Sequence, residues 1–119
     1  MAIRFAGVAN VKIDGSQIPL RGNLTVSPNS LERTMIAGQD FIHGFQELPR
    51  VPYIELDFST LPSVSVEALE KQINVTVLAQ LANGKQYSLT EAVCKGGIEL
   101  NARDGQGRIR WEGTKCEEL

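Results

Sequence analysis

Glu55 and Asp57 are separated by one residue in Tyr53-Ile54-Glu55-Leu56-Asp57-Phe58, where apolar and polar residues alternate. On a strand, both carboxylates would point the same way, about 7 Å apart. That separation suits the acid and base of an inverting glycosidase, so a small hydrolase is one reading of the pair. The plainer reading is the wet side of a half-buried sheet. Asp40 and His43 could join Cys94 or Cys116 as a cysteine–histidine pair, but no local signature accompanies either thiol. A lone His with scattered carboxylates lacks the soft or imidazole ligands that a transition metal wants. Two cysteines are too few for a disulfide framework, and free thiols are expected. Gly105-Gln106-Gly107 has glycine spacing but no helix after it to receive a phosphate. Trp111 alternates with Ile109 toward one side, which predicts core packing rather than ligand stacking. The residues therefore predict no catalytic site, no metal and no cofactor.

The strand carrying Glu55 and Asp57 is one of two that frame the centre of the chain. Leu20, Gly22, Leu24 and Val26 alternate with Arg21, Asn23 and Thr25; further on, Ile54, Leu56 and Phe58 alternate with the two carboxylates. A period of 2 predicts half-buried strands. Between them, residues 27–48 are scattered with Pro, Gly, Asn and Ser and show no helical period. They are expected to form a long loop with a task of its own, since compact domains seldom keep idle loops of that length.

Elsewhere, Gly7 to Asp14 reads as a strand, and Asp14-Gly15 as a hairpin turn into the next. Ser65 is expected to cap a helix over 65–73, with Val66, Leu69 and Ile73 as its apolar stripe. Val75 to Ala82 and Lys85 to Ala92 pair across Asn83-Gly84. Gly96-Gly97 marks a bend. Ile98 to Ala102 and Arg108 to Glu112 complete about seven strands, and Thr114 to Leu119 reads as a polar tail. The expected fold is mostly β: an antiparallel sandwich or barrel with one short flanking helix, in a single domain spanning 1–119.

At 119 residues, with 42% hydrophobic and 22% charged residues, the chain has the composition of an ordinary globular domain. Its formal charge of −2 includes no basic stripe, which disfavours stable nucleic-acid binding. The first residues lack the apolar core of a signal peptide and no run approaches membrane-spanning length, so folding in a cytoplasm, without membrane insertion, is expected.

A succession of motifs narrows this further. Leu20-Arg21-Gly22-Asn23-Leu24-Thr25-Val26-Ser27-Pro28 is followed by Glu32-Arg33, Ala37-Gly38-Gln39-Asp40 and His43-Gly44. Next come Glu47-Leu48-Pro49-Arg50-Val51-Pro52-Tyr53-Ile54-Glu55, Ala79-Gln80-Leu81-Ala82-Asn83-Gly84-Lys85 and the closing Trp111-Glu112-Gly113. In this order the chain resembles the tail tube proteins of Mu-like contractile-tailed bacteriophages over nearly its whole length. The resemblance implies a structural subunit, not an enzyme, that forms hexameric rings stacked into a hollow conduit for DNA ejection. The expected partners are further copies of itself, with sheath, tape measure, baseplate and tail terminator proteins, and DNA in transient passage. The expected location is the virion tail, assembled in the bacterial host cytoplasm.

The resemblance also implies site residues. The loop would reach an adjacent ring through Ser27, Pro28, Glu32, Arg33, Gly38, Gln39, Asp40, His43, Gly44 and Glu47. The polar strand faces would line the bore through Arg21, Asn23, Thr25, Glu55, Asp57, Ser88, Thr90, Glu99 and Asn101. Lysines in place of Glu55 and Asp57 would then leave rings intact but impair DNA passage. The rivals are the tube subunit of a type VI or other contractile injection system, the small hydrolase above, and a monomeric β-barrel ligand binder.

Overall fold

A computed structural model describes residues 9–62 and 64–119. Strands β1 (Asn10–Ile13) and β2 (Ser16–Ile18) form the first hairpin, with Ile13 opposite Ser16. Asp14 and Gly15 between them have φ of 49° and 89°. Two positive-φ residues make the tight turn whose twist matches the paired strands, as the Asp-Gly pair predicts. Gly7 and Val8, expected to begin this strand, lie outside the described residues.

Strands β3 (Leu20–Ser27) and β6 (Tyr53–Ser59) are antiparallel neighbours. Between them runs a hairpin of β4 (Leu31–Ala37) and β5 (Ile42–Pro49), which among the described residues pair only with each other. The loop expected over 27–48 is therefore an arm of two strands. Helix α1 (Val66–Glu70) follows, and Ser65 caps it by accepting a hydrogen bond from the Ala68 N–H at 3.2 Å. It is shorter than the expected 65–73: Asn74, at φ 62°, turns the chain toward the next strand, and Ile73 is 72% exposed instead of completing a stripe.

The rest is β7 (Val75–Gln80), β8 (Gln86–Cys94), β9 (Glu99–Asn101), β10 (Gln106–Glu112) and β11 (Lys115–Glu118). That makes eleven strands among the described residues, where about seven were expected. Three of the additions are β4, β5 and β11. The tail becomes β11 because β8 has a free edge that it covers, with Cys116 opposite Leu89.

Strand order runs β2-β1-β7-β8-β10-β6-β3, with β11 on β8 and β9 on β10. Strand β8 belongs to both halves of this sheet. It pairs with β7 up to Ala92, and its last two residues pair with Trp111 and Glu112 of β10. A bulge makes the turn: Val75 faces Ala92 but Val77 faces Leu89, and Glu91 has φ 52°. An extra residue bends and twists a strand at such a point, so the sheet folds over on itself. The ends of the path, β2 and β3, are separated in sequence only by Pro19, which cannot donate to a ladder. The result is an open sandwich, not a closed barrel.

Val11, Ile54, Leu56, Phe58, Val77, Leu89, Ile109 and Trp111 fill the space between the halves at 2% exposure or less. Trp111 is in the core as its alternation predicts, and its Nε1 donates to Gln72 Oε1 at 3.0 Å. Because the backbone N–H of Cys94 donates to the carbonyl of Gln72, this one residue ties the end of the helix segment to β8 and β10.

Candidate functional site

Residues from Ser27 to Tyr53 contribute nothing to the core cluster. Of thirteen exposed large apolar side chains among the described residues, seven nevertheless lie between Leu31 and Pro49, and Val51 is an eighth just beyond. The arm's register sorts them. Leu31 faces Pro49, Arg33 faces Glu47, Met35 faces Phe45 and Ala37 faces Ile42. Opposed residues share a face of a hairpin. One face is therefore an apolar band broken by a single ion pair, Arg33 Nε to Glu47 Oε1 at 3.4 Å. Met35 is 65% exposed and Phe45 56%.

At the tip, the Gly38 N–H donates to the Phe41 carbonyl at 2.8 Å, closing a four-residue turn. His43 is the extra residue of a bulge, followed by Gly44 at φ 145°. Its ring stacks edge-on against Phe41, lies 3.8 Å from Asp40 and covers Gly38, where any Cβ would run into it. The arm makes the molecule long. Its extents are 61 × 41 × 28 Å and its radius of gyration is 17.3 Å, against about 13–14 Å for a compact chain of this length.

The outer face of β3, β6, β10 and β9 is the second feature. Arg108 faces Asp57 on one side and Glu99 on the other, and Arg110 faces Glu55. Arg108 Nε lies 3.0 Å from Glu55 and 3.6 Å from Asp57. Asp57 is 7% exposed and also accepts a hydrogen bond from Asn23 Nδ2 at 2.6 Å. Arg110 lies over the Tyr53 ring, 3.7 Å from its centroid, and 3.2 Å from Glu112. That last contact is an ion pair without an aligned hydrogen bond, so the buried Arg110 Nε–H has no acceptor among the described residues. Charge on this face is nearly balanced: Arg21, Arg108 and Arg110 stand against Glu55, Asp57, Glu99 and Glu112.

Of the residues predicted for a bore, Arg21, Asn23, Thr25, Glu55, Asp57, Glu99 and Asn101 lie on these four strands. Ser88 and Thr90 do not. They sit on β8 where it pairs with β7 and β11, on the other half of the sandwich. Burial along β3 alternates as expected, but its pairing with β6 is irregular. One extra residue relative to β6 places Gly22 opposite Asp57, a second follows before Thr25, and Asn23 takes φ 52°. This irregularity is what lets the Asn23 side chain reach Asp57. The residues predicted for the loop are spread along the arm: Ser27 and Pro28 at its base, Glu32, Arg33 and Glu47 in its strands, Gly38, Gln39 and Asp40 at its tip, His43 and Gly44 at its bulge. The apolar band escaped the sequence reading because both faces of the arm are exposed, so its strands show no simple alternation.

Neither thiol adjoins His43 in the ladders. Cys94 pairs with Trp111 and Cys116 with Leu89, and burial raises the pKa of both. Lys85, at the β7–β8 turn, holds Glu118 at 2.5 Å, a hydrogen bond that raises the lysine pKa and fastens β11. Glu55 and Asp57 are both engaged by Arg108, an arrangement that binds up the two carboxylates a hydrolase would need free.

Among known proteins, the family described as phage tail tube protein matches residues 2–118. A tail tube protein of the Mu-like prophage FluMu in Haemophilus influenzae Rd is 26% identical over 119 residues, all of this chain and 99% of that protein. Two solved structures share the fold at 10% sequence identity, each with a TM-score of 0.68. The sheath/tube terminator of an extracellular contractile injection system aligns over 99% of both chains. The tube terminating cap of the anti-feeding prophage aligns over all of this chain and 94% of its own.

Proposed function

The chain belongs to the phage tail tube protein family; it is a structural tail subunit and not an enzyme, and we propose that it forms hexameric rings stacked into a hollow conduit for DNA. The apolar arm carries this reading. Eight large side chains, each leaving on the order of 100 Å² uncovered, amount to about 800 Å², one partner's share of a standard interface. These side chains lie on both faces of the arm and just beyond it, with Leu31, Met35, Ile42 and Phe45 gathered on one face; a lone soluble chain rarely exposes so much apolar surface on one element. Copies of itself are its first partners, with the arm reaching an adjacent ring. Sheath, tape measure, baseplate and terminator proteins are further partners, and the host cytoplasm is where the tail is built.

In this reading the outer face of β3, β6, β9 and β10 lines the bore, through Arg21, Asn23, Thr25, Glu55, Asp57, Glu99 and Asn101. Internal ion pairing supports that role. Passing DNA meets a wall whose charges already satisfy one another, with a small negative excess and no basic stripe to hold phosphates. Six copies multiply the excess, but exposed charges are screened within about 8 Å at physiological salt. Low adhesion here comes from pairing more than from repulsion. Negative-stain imaging of the purified protein across concentration and salt tests the reading. Rings or tubes are expected; a monodisperse monomer under every condition refutes it.

A further inference from the structure

We infer that the apolar band of the arm seats in a particular cleft on the next copy of this chain, the one between α1 and the β1–β2 hairpin. This rests on the stacked-ring reading and specifies its contact. The cleft has a volume of about 410 Å³ and is lined by Ile13, Ile18, Pro19, Val64, Ala68 and Leu69. Its walls are mostly apolar, whereas the depressions on the polar face are lined by Asp57, Glu99, Arg108 and Arg110. Nothing among the described residues fills it.

Arm and cleft lie at opposite ends of one strand. Pro19 immediately precedes β3 and the arm departs after Ser27, so about 26 Å of extended chain separates them. The arm then runs outward, as the 61 Å extent requires, and cannot return to its own cleft. Two complementary apolar surfaces at opposite ends of one molecule make a head-to-tail contact, which repeats from copy to copy. Charge agrees with this pairing. The band carries Arg33, held loosely by Glu47. The rim of the cleft carries Asp14, whose Oδ1 accepts from the Thr76 N–H and which has no ion pair among the described residues. The directly opposed Met35 and Phe45 are the side chains placed to enter.

Paired cysteines test the contact. Chains carrying Met35→Cys with Ala68→Cys should give, under mild oxidation of assembled protein, a ladder of covalent multimers. Its yield should be at least tenfold above that from Met35→Cys with Thr90→Cys, which places the second thiol on the other half of the sandwich. Chains carrying Met35→Cys alone or Ala68→Cys alone are the blanks, since Cys116 is only half-buried. Ala68→Trp, at an exposed helix position, should leave the monomer melting unchanged and abolish tubes. Tubes that form without the 35–68 ladder, or with equal linkage at 90, overturn this contact and leave the ring reading standing. Failure of the wild type to assemble under any condition overturns both.

Discussion

Replacing Asp57 by lysine should destabilise the subunit itself. The carboxylate is 7% exposed, accepts from Asn23 at 2.6 Å and lies 3.6 Å from Arg108. Losing a hydrogen bond to a charged group costs about 1.5 kcal/mol or more. An ammonium close to Arg108 adds repulsion of up to about 4 kcal/mol at an effective dielectric of 20. Arg108 is 59% exposed, so solvent screens most of that, leaving about 1–2 kcal/mol. The total is about 3 kcal/mol. With an unfolding entropy near 2.1 cal/mol/K per residue, that lowers Tm by about 12 °C for a chain this long. Glu55→Lys, at a site more open to water, should cost about a third as much. Circular dichroism melting of unassembled protein checks both. Asp57→Lys melting within about 2 °C of wild type would refute the claim that this polar face is held together by its own ion pairs. Lysines at both positions are therefore expected to cost folding stability first, and ring formation is read on protein that still folds.

Met35→Asp with Phe45→Asp should leave Tm within about 2 °C, as exposed substitutions do, while sedimentation shows monomer where wild type assembles. Gly107→Ala should lower Tm by about 4–12 °C through overpacking of about 1–3 kcal/mol, because its Cβ would come within 2.7 Å of Leu100 and 2.8 Å of Phe58. Cys94 and Cys116 ionise at higher pH when folded than when unfolded. Alkylation of native protein should therefore be slow at pH 8. Stability should also fall as pH rises from the ordinary thiol value of 9.0 through the raised one. Rapid native alkylation of Cys94 at pH 8 would contradict its burial.

What the sequence disclosed follows from where water reaches the chain. Strands with one wet face, such as β6 and β10, announce themselves by alternation, and the turns at Asp14-Gly15 and Asn83-Gly84 by their residue types. Ser65 was legible as a cap because its oxygen acts within one turn of helix. The arm was not legible as two strands, because alternation records half-burial and neither arm face is buried within the subunit. Arg108 escaped notice as the partner of Glu55 and Asp57 since pairing across β10 and β6 depends on a register fixed by distant contacts. Gln72 gave no signal either: a glutamine just past a helix reads as solvent-facing until the indole of Trp111 is placed beside it. The two extra residues in β3 and the turn of β8 between sheet halves belong to the same class, bulges that period-2 patterns cannot reveal.

The arm's absence from the core has an evolutionary consequence. In the proposed assembly, substitutions between Leu31 and Pro49 alter the contact between copies while leaving untouched the core that folds the body. Stability constrains the buried Trp111 and Phe58, whereas the exposed Met35 and Phe45 answer, in the proposed assembly, to the fit between copies. The two requirements can drift separately. On that reading, related tubes can keep one body and diverge along the arm until their subunits no longer co-assemble.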